Sequence, residues 1–168
     1  ICHEIDHFNI LQGALVLKNC YKDFPRDTVH IIAIDDELSA ENDHVAVYAH
    51  GHYFIGADNG FFSILLDDFK PDKIVSLNIS QKTDYLTFAS RDVFVIAACH
   101  LKRGGTLELI GKEIDDFSIK KNILMPVIES NLIKGVVTYI DNYGNAITNI
   151  DFKTFEKNRR NRSFSILF

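Results

Sequence analysis

The residues Asp141-Asn142-Tyr143-Gly144-Asn145 put a carboxylate, an aromatic ring and a side-chain amide within five consecutive positions. A carboxylate receives an amine, an aromatic face stacks on a planar base, and an amide hydrogen-bonds a base edge. These five residues lie between Val136–Ile140, which is β-branched or aromatic throughout, and Ala146–Ile150, which alternates. Both flanks read as strands. Asp, Asn and Gly accept φ > 0 and bond their own backbone, so a sharp turn joins them. A plain hairpin needs only Asn-Gly or Asp-Gly at its tip. The longer tip here reads either as a ligand-binding turn or as an ordinary polar hairpin.

Other chemistry-bearing residues are scattered. Asp35 ends the apolar run Val29–Asp35, which has the character of a buried parallel strand. Ligands of open α/β sheets bind at such carboxyl ends. His3, Asp6 and His7 stand close together near the start, but their spacing fits no standard metal site, and they read as a polar loop. His50 and His52 can share a strand face as metal ligands do, or stand exposed on a half-buried hairpin; the second reading is the simpler. His100 reads as a packed helix residue. No metal is expected.

The elements that position these groups follow from periodicity. Asn9 is a candidate N-cap for a helix to about Tyr21, with Ile10, Ala14, Leu17 and Tyr21 on one stripe. Phe24-Pro25-Arg26-Asp27 ends it. His44–His50 and Gly51–Gly56 read as strands joined tightly at Gly51. Asp58 or Asn59 caps a helix over Phe61–Phe69, and Lys73–Ile79 is a further strand. Arg91–Leu101 is apolar on most sides and reads as a buried helix, stopped by Gly104 and Gly105. Leu107–Asp116 reads as a short helix or turn, and Asp115–Met125 as a linker. From Pro126 the pattern turns to strands. The expected organisation is an α/β domain over 1–118, a mainly parallel sheet flanked by helices, followed over 119–168 by the start of a barrel-like β domain.

Composition limits the function class. The 168 residues are 46% hydrophobic and 24% charged, typical of a globular chain with a core. A mixed net charge of -5 argues against nucleic acid as the main partner. The basic run Lys157–Arg162 reads as a solvated loop. No apolar run reaches the roughly 18 residues of a membrane span, so no membrane partner is expected. Three cysteines without a framework point to a reducing compartment, hence the cytoplasm. Cys20 and Cys99 sit in apolar helical patterns, where buried free thiols are common. Both ends of the chain read as cut, Ile1 within an element and Phe168 within an apolar run.

Asp141-Asn142-Tyr143-Gly144-Asn145 followed by Ile147-Thr148-Asn149 resembles the Asp-x-Phe-Gly-Asn-x-x-Thr-Asn signature of the S-adenosylmethionine hydroxide adenosyltransferases, relatives of the fluorinating and chlorinating enzymes. Three other stretches agree in order: the helix with Tyr21, Phe24-Pro25 and the Val29–Asp35 strand; Gly56-Ala57-Asp58-Asn59-Gly60; and Arg91-Asp92 with the Ala97–Leu101 helix end. The resemblance spans nearly the whole chain.

It implies S-adenosylmethionine as substrate or ligand, with no separate cofactor. It also implies a homotrimer in which the ligand lies between the N-terminal domain of one subunit and the C-terminal domain of a neighbour. The hydrolases displace methionine from C5′ with water or hydroxide, using an Asp-Arg-His set. Asp35 matches that Asp. Asn42 stands at the Arg position and Ala89 at the His position, and neither supplies a cation or carries a proton. His44, two positions after Asn42, is a conceivable substitute. The binding turn is kept: Asp141 matches the residue holding the methionine amino group, Tyr143 replaces a Phe that packs on the nucleoside, and Asn145 matches the amide contacting adenine. Either a hydrolase with a rebuilt nucleophile site, an adenosine-binding module with little turnover, or a structural member of the family fits these residues.

Overall fold

The structure, a computed structural model, describes residues 1–39, 42–67, 69–80, 88–118 and 125–167. The chain divides into two compact units, Ile1–Asn122 and Ile123–Phe168. Ala40 and Glu41, Asp68 of the expected second helix, 119–124 of the expected linker, and Phe168 lie outside the described residues.

The first unit is built on one five-stranded sheet. Its strands are β1 (Val29–Ile31), β2 (His44–Ala49), β3 (His52–Ala57), β4 (Lys73–Leu77) and β5 (Gly111–Glu113), in the order β1-β3-β2-β4-β5. Only β1 and β3 pair parallel; β2–β3, β2–β4 and β4–β5 are antiparallel. The sheet is therefore mixed rather than mainly parallel. The cause is local: the β2–β3 hairpin turns at His50 and Gly51, whose φ values of 53° and 79° reverse the chain without a crossover. The Val29–Asp35 run keeps ladder geometry for only three residues, although Ile32 still donates to the Ile55 carbonyl at 2.8 Å. Strand β5 falls where sequence suggests a helix or turn.

Helices flank both faces. Helix α1 (Ile10–Cys20) starts where Asn9 caps it, the Asn9 side chain accepting from the Gln12 amide. Its stripe of Ile10, Ala14, Leu17 and the following Tyr21 is buried. The Tyr21 ring packs edge-on against Phe54 of β3, centroids 5.4 Å apart. The next residue, Ile55, points to the opposite face. There it joins Ala46, Val75, Ala89, Val93, Phe94, Ala97 and Leu101 in one apolar cluster. Helix α2 (Phe61–Leu66) packs against α1.

The helix read over Arg91–Leu101 has two parts. A π-helical turn at Ser90–Phe94 precedes α3 (Val95–Lys102). Only one side of α3 is buried, through Ala97 and Leu101, while Val95, Ile96 and Cys99 are exposed. The expected all-round burial, and with it a buried Cys99, does not hold. A helix at a sheet surface needs only one apolar face inside.

The second unit contains two separate antiparallel pairs, β6 (Val127–Ile128) with β7 (Ile133–Lys134) and β8 (Val137–Ile140) with β9 (Ala146–Thr148). It also contains a helix that the strand pattern does not suggest, α4 (Phe152–Arg159). Asp151 caps α4 by accepting from the Thr154 amide at 2.9 Å and from its hydroxyl at 2.6 Å. Lys157 and Arg159 form its last turn, where cations suit the helix dipole. Arg162 folds back to donate to the Asn131 amide oxygen at 2.6 Å. The basic run is a helix end rather than a free loop.

Candidate functional site

Asp35 stands just beyond β1 in a left-handed backbone conformation, φ 51°, which is uncommon outside Gly, Asn and Asp. Asn59 holds it there. Buried after β3, Asn59 donates its side-chain amide to the carbonyls of Ile34 and Asp35 at 2.9 and 3.0 Å, and its oxygen accepts from the Phe61 amide at 3.1 Å. The tight Gly56–Gly60 turn thus both starts α2 and fixes the Asp35 backbone. Asp35 is half-buried and borders a cleft of about 680 Å3 lined also by His3, Asp6, His7, His30 and Phe61.

Asp36 is the titratable group that sequence reasoning passed over as a candidate. Its Oδ2 is buried and has no hydrogen-bond partner among the described residues. Burial pushes its carboxyl above the ordinary range. The Asp35 charge adds to this, while the amides of Asp36 and Ser90 and nearby His44 work against it. His44 is buried at the start of β2, its ring edge-on to Phe94 with centroids 4.9 Å apart. Its Nε2 lies 2.9 Å from the Asp36 carbonyl. A carbonyl only accepts, so Nε2 carries a proton and Nδ1 is the ring's other nitrogen. Two adjacent carboxylates after a strand were the available sequence signal.

Ala89 is fully buried in the cluster beneath the π-helical turn. Asn42 is half-buried, its amide donating to the Ser39 hydroxyl at 3.1 Å. Arg91, two positions after Ala89, is paired with Asp92, with Nε 2.6 Å from Oδ1 and Nη2 3.0 Å from Oδ2. Among the described residues no Lys or Arg lines the cleft beside Asp35.

The histidines differ from expectation. His52 is buried rather than exposed, its Nδ1 3.3 Å from Nε2 of buried His30. His50 is in the turn, with Nδ1 2.7 Å from the Tyr21 hydroxyl. The two therefore serve different neighbours. His100 lies against the Thr106 carbonyl at 3.0 Å, a packed helix residue.

In the second unit the Asp141–Asn145 turn is self-organised. Asp141 Oδ1 accepts from the amides of Tyr143 and Asn145 at 2.9 and 2.8 Å, and Oδ2 accepts from the Asn145 side-chain nitrogen at 2.8 Å. Gly144, φ 83°, closes the tip. These bonds, the Asn145 side chain first, hold the Asp141 carboxyl below its usual range. An ionised carboxylate offers about four acceptor positions, so one remains beyond the three in use. The Asn145 amide oxygen has no partner among the described residues. The Tyr143 ring is 93% exposed, a free aromatic face.

The family model for the SAM hydroxide adenosyltransferase N-terminal domain matches residues 1–111. The chain belongs to the SAM hydroxide adenosyltransferase family. It is 29% identical over 151 residues to an (R)-S-adenosyl-L-methionine hydrolase of Methanocaldococcus jannaschii, covering 89% of this chain and 52% of that protein. A fluorinase of Actinopolyspora mzabensis is 24% identical over 179 residues, covering 89% and 60%. The chain thus spans roughly half to three-fifths of these curated relatives' length. Among solved structures, an uncharacterized conserved protein of Thermotoga maritima superposes with a TM-score of 0.84 at 28% identity, covering 93% of this chain and 61% of that one. A conserved hypothetical protein of Thermus thermophilus shares the fold, with a TM-score of 0.66. No helix among the described residues is long and apolar enough to cross a membrane.

Proposed function

We propose that the protein binds S-adenosylmethionine and hydrolyses it to adenosine and L-methionine, with Asp35 orienting the attacking water. The oxygen attacks C5′ as the C5′–S bond breaks, and the bond's electron pair leaves on sulfur as a neutral thioether. The water's proton passes to Asp36 or to Nδ1 of His44. Sulfonium is already a good leaving group, so alignment of the nucleophile is the main demand. The observation carrying this reading is the Asn59 clamp on the Asp35 backbone, which places a half-buried Asp35 at the cleft, next in the chain to Asp36, whose carbonyl meets His44.

Asp141, Tyr143 and Asn145 are assigned to ligand binding. The remaining Asp141 acceptor position suits an ammonium, the Tyr143 face suits a nucleoside, and the Asn145 oxygen suits an exocyclic amine. The homotrimer implied by the family resemblance is part of the proposal.

A second reading has its own support. Ala89 is sealed in the core and, among the described residues, no Lys or Arg lines the cleft, so none of these residues gives hydroxide electrostatic support. On that reading the protein holds an adenosine-type ligand with little turnover. Incubation of the protein with S-adenosylmethionine, with adenosine and methionine followed by chromatography and binding by calorimetry, separates the two. Product identifies the hydrolase, binding without product identifies the module, and neither result sinks both.

A further inference from the structure

At the other end of β2 and β3 from Asp35, a second cleft of about 590 Å3 surrounds the hairpin turn. Lys22, Arg26, His50, His52, Phe69 and Asp72 line it. Among the described residues neither Arg26 nor Lys22 has a hydrogen bond or ion pair, and the Lys22 Nζ lies 5.6 Å from the Tyr21 ring centroid. Arg26 is nonetheless placed. A Cβ added to Gly51 would meet its Cζ at 2.8 Å, so the guanidinium lies against the turn backbone. Each histidine has its Nδ1 engaged inside the protein, His50 with Tyr21 and His52 with His30. The Nε2 of each is without a partner among the described residues. The His50 ring lies close against Phe69 in a tilted arrangement, centroids 3.7 Å apart.

We propose that this cleft is an anion site that takes a phosphate group, gripped by the Arg26 fork and Lys22 and receiving Nε2–H donors from His50 and His52. A guanidinium and an ammonium on one concave surface are the standard complement of phosphate oxygens. The inference does not depend on the proposed hydrolysis.

The charges facing the histidines give it a pH signature. Burial first, then Lys22, holds His50 below the ordinary range, with Asp72 opposing. Burial first, then Arg26, does the same for His52, with Asp27 opposing. His30, facing His52, is lowered to about 4, and burial raises Tyr21. An anion between these groups favours protonated histidine, so binding takes up protons and tightens as pH falls.

Calorimetric titration of inorganic phosphate into the full chain tests the site directly. Sulfate, whose charge is constant from about pH 8 to 6, supplies the pH series. Saturable binding is expected, with sulfate tighter at the acid end. Arg26→Gln and Lys22→Gln should each weaken it roughly tenfold, and Asp72→Asn should strengthen it. Phenyl phosphate identifies the source: tighter binding than inorganic phosphate points to an ester stacked on Phe69, and equal binding to the free ion. Absence of saturable binding, or unchanged affinity in both cation variants with circular dichroism intact, overturns the proposal.

Discussion

The Asn59 side-chain amide donates to two consecutive carbonyls, Ile34 at 2.9 Å and Asp35 at 3.0 Å, while its oxygen accepts from Phe61. One buried side chain therefore ties the segment after β1, the start of α2 and the left-handed Asp35 backbone together. Replacement by Ala leaves partly buried polar groups unmatched. Asn59→Ala is expected to cost about 2–3 kcal/mol, read from urea denaturation. A loss indistinguishable from a surface substitution would show that the clamp is incidental.

Ala89 occupies the position where the family resemblance places a histidine, yet it is fully buried in the apolar cluster with Val93 and Phe94. Putting the ring back should overpack the core. Ala89→His is expected to lose about 1–3 kcal/mol and to gain no hydrolysis. A stable variant with faster product formation contradicts this.

His30 ties stability to pH. Its folded-state value is about 4, lowered by burial and then by His52, from an ordinary 6.5. The unfolded chain therefore binds the proton more readily. The contribution is complete above 6.5 and is lost as pH falls from 6.5 to 4, amounting to at most about 3 kcal/mol. Urea midpoints across this range should fall more steeply for the native chain than for His30→Phe. Parallel slopes would rule His30 out as the source.

The Asp141 carboxylate both closes its turn and keeps an acceptor position in reserve. Asp141→Ala is expected to weaken binding of S-adenosylmethionine or adenosine at least tenfold, roughly the value of a charged hydrogen bond. Calorimetry with either ligand measures it, and unchanged affinity removes the turn from the site.

Much of this architecture was legible in the sequence because it rests on local rules. The Asn9 cap, the Ile10–Tyr21 stripe, the Gly51 hairpin and the Asp141–Asn145 turn each depend on residues a few positions apart. What was not legible depends on distant partners. The parallel pair of the sheet arises from β1 joining β3 at the edge, which Val29–Ile31 cannot encode alone. Strand β5 exists because Gly111–Glu113 meets β4, and its short, partly charged sequence carries no period. Burial of His52 comes from His30, 22 residues earlier. At the candidate site Asp35 was readable as the end of an apolar run, although the strand itself stops at Ile31. The roles of Asp36 and of the Asn59 amide required three segments to be seen together.

The central claim is that Asp35 handles the nucleophile for attack on S-adenosylmethionine. It is tested most directly by chromatography of adenosine and methionine after incubation of the protein with S-adenosylmethionine, in native form and as Asp35→Ala, beside a protein-free control. The account predicts equal amounts of adenosine and methionine above the control from the native chain. It also predicts a loss of about two to three decades in rate for Asp35→Ala. Native product formation that survives Asp35→Ala unchanged, or no product above the control, would contradict it.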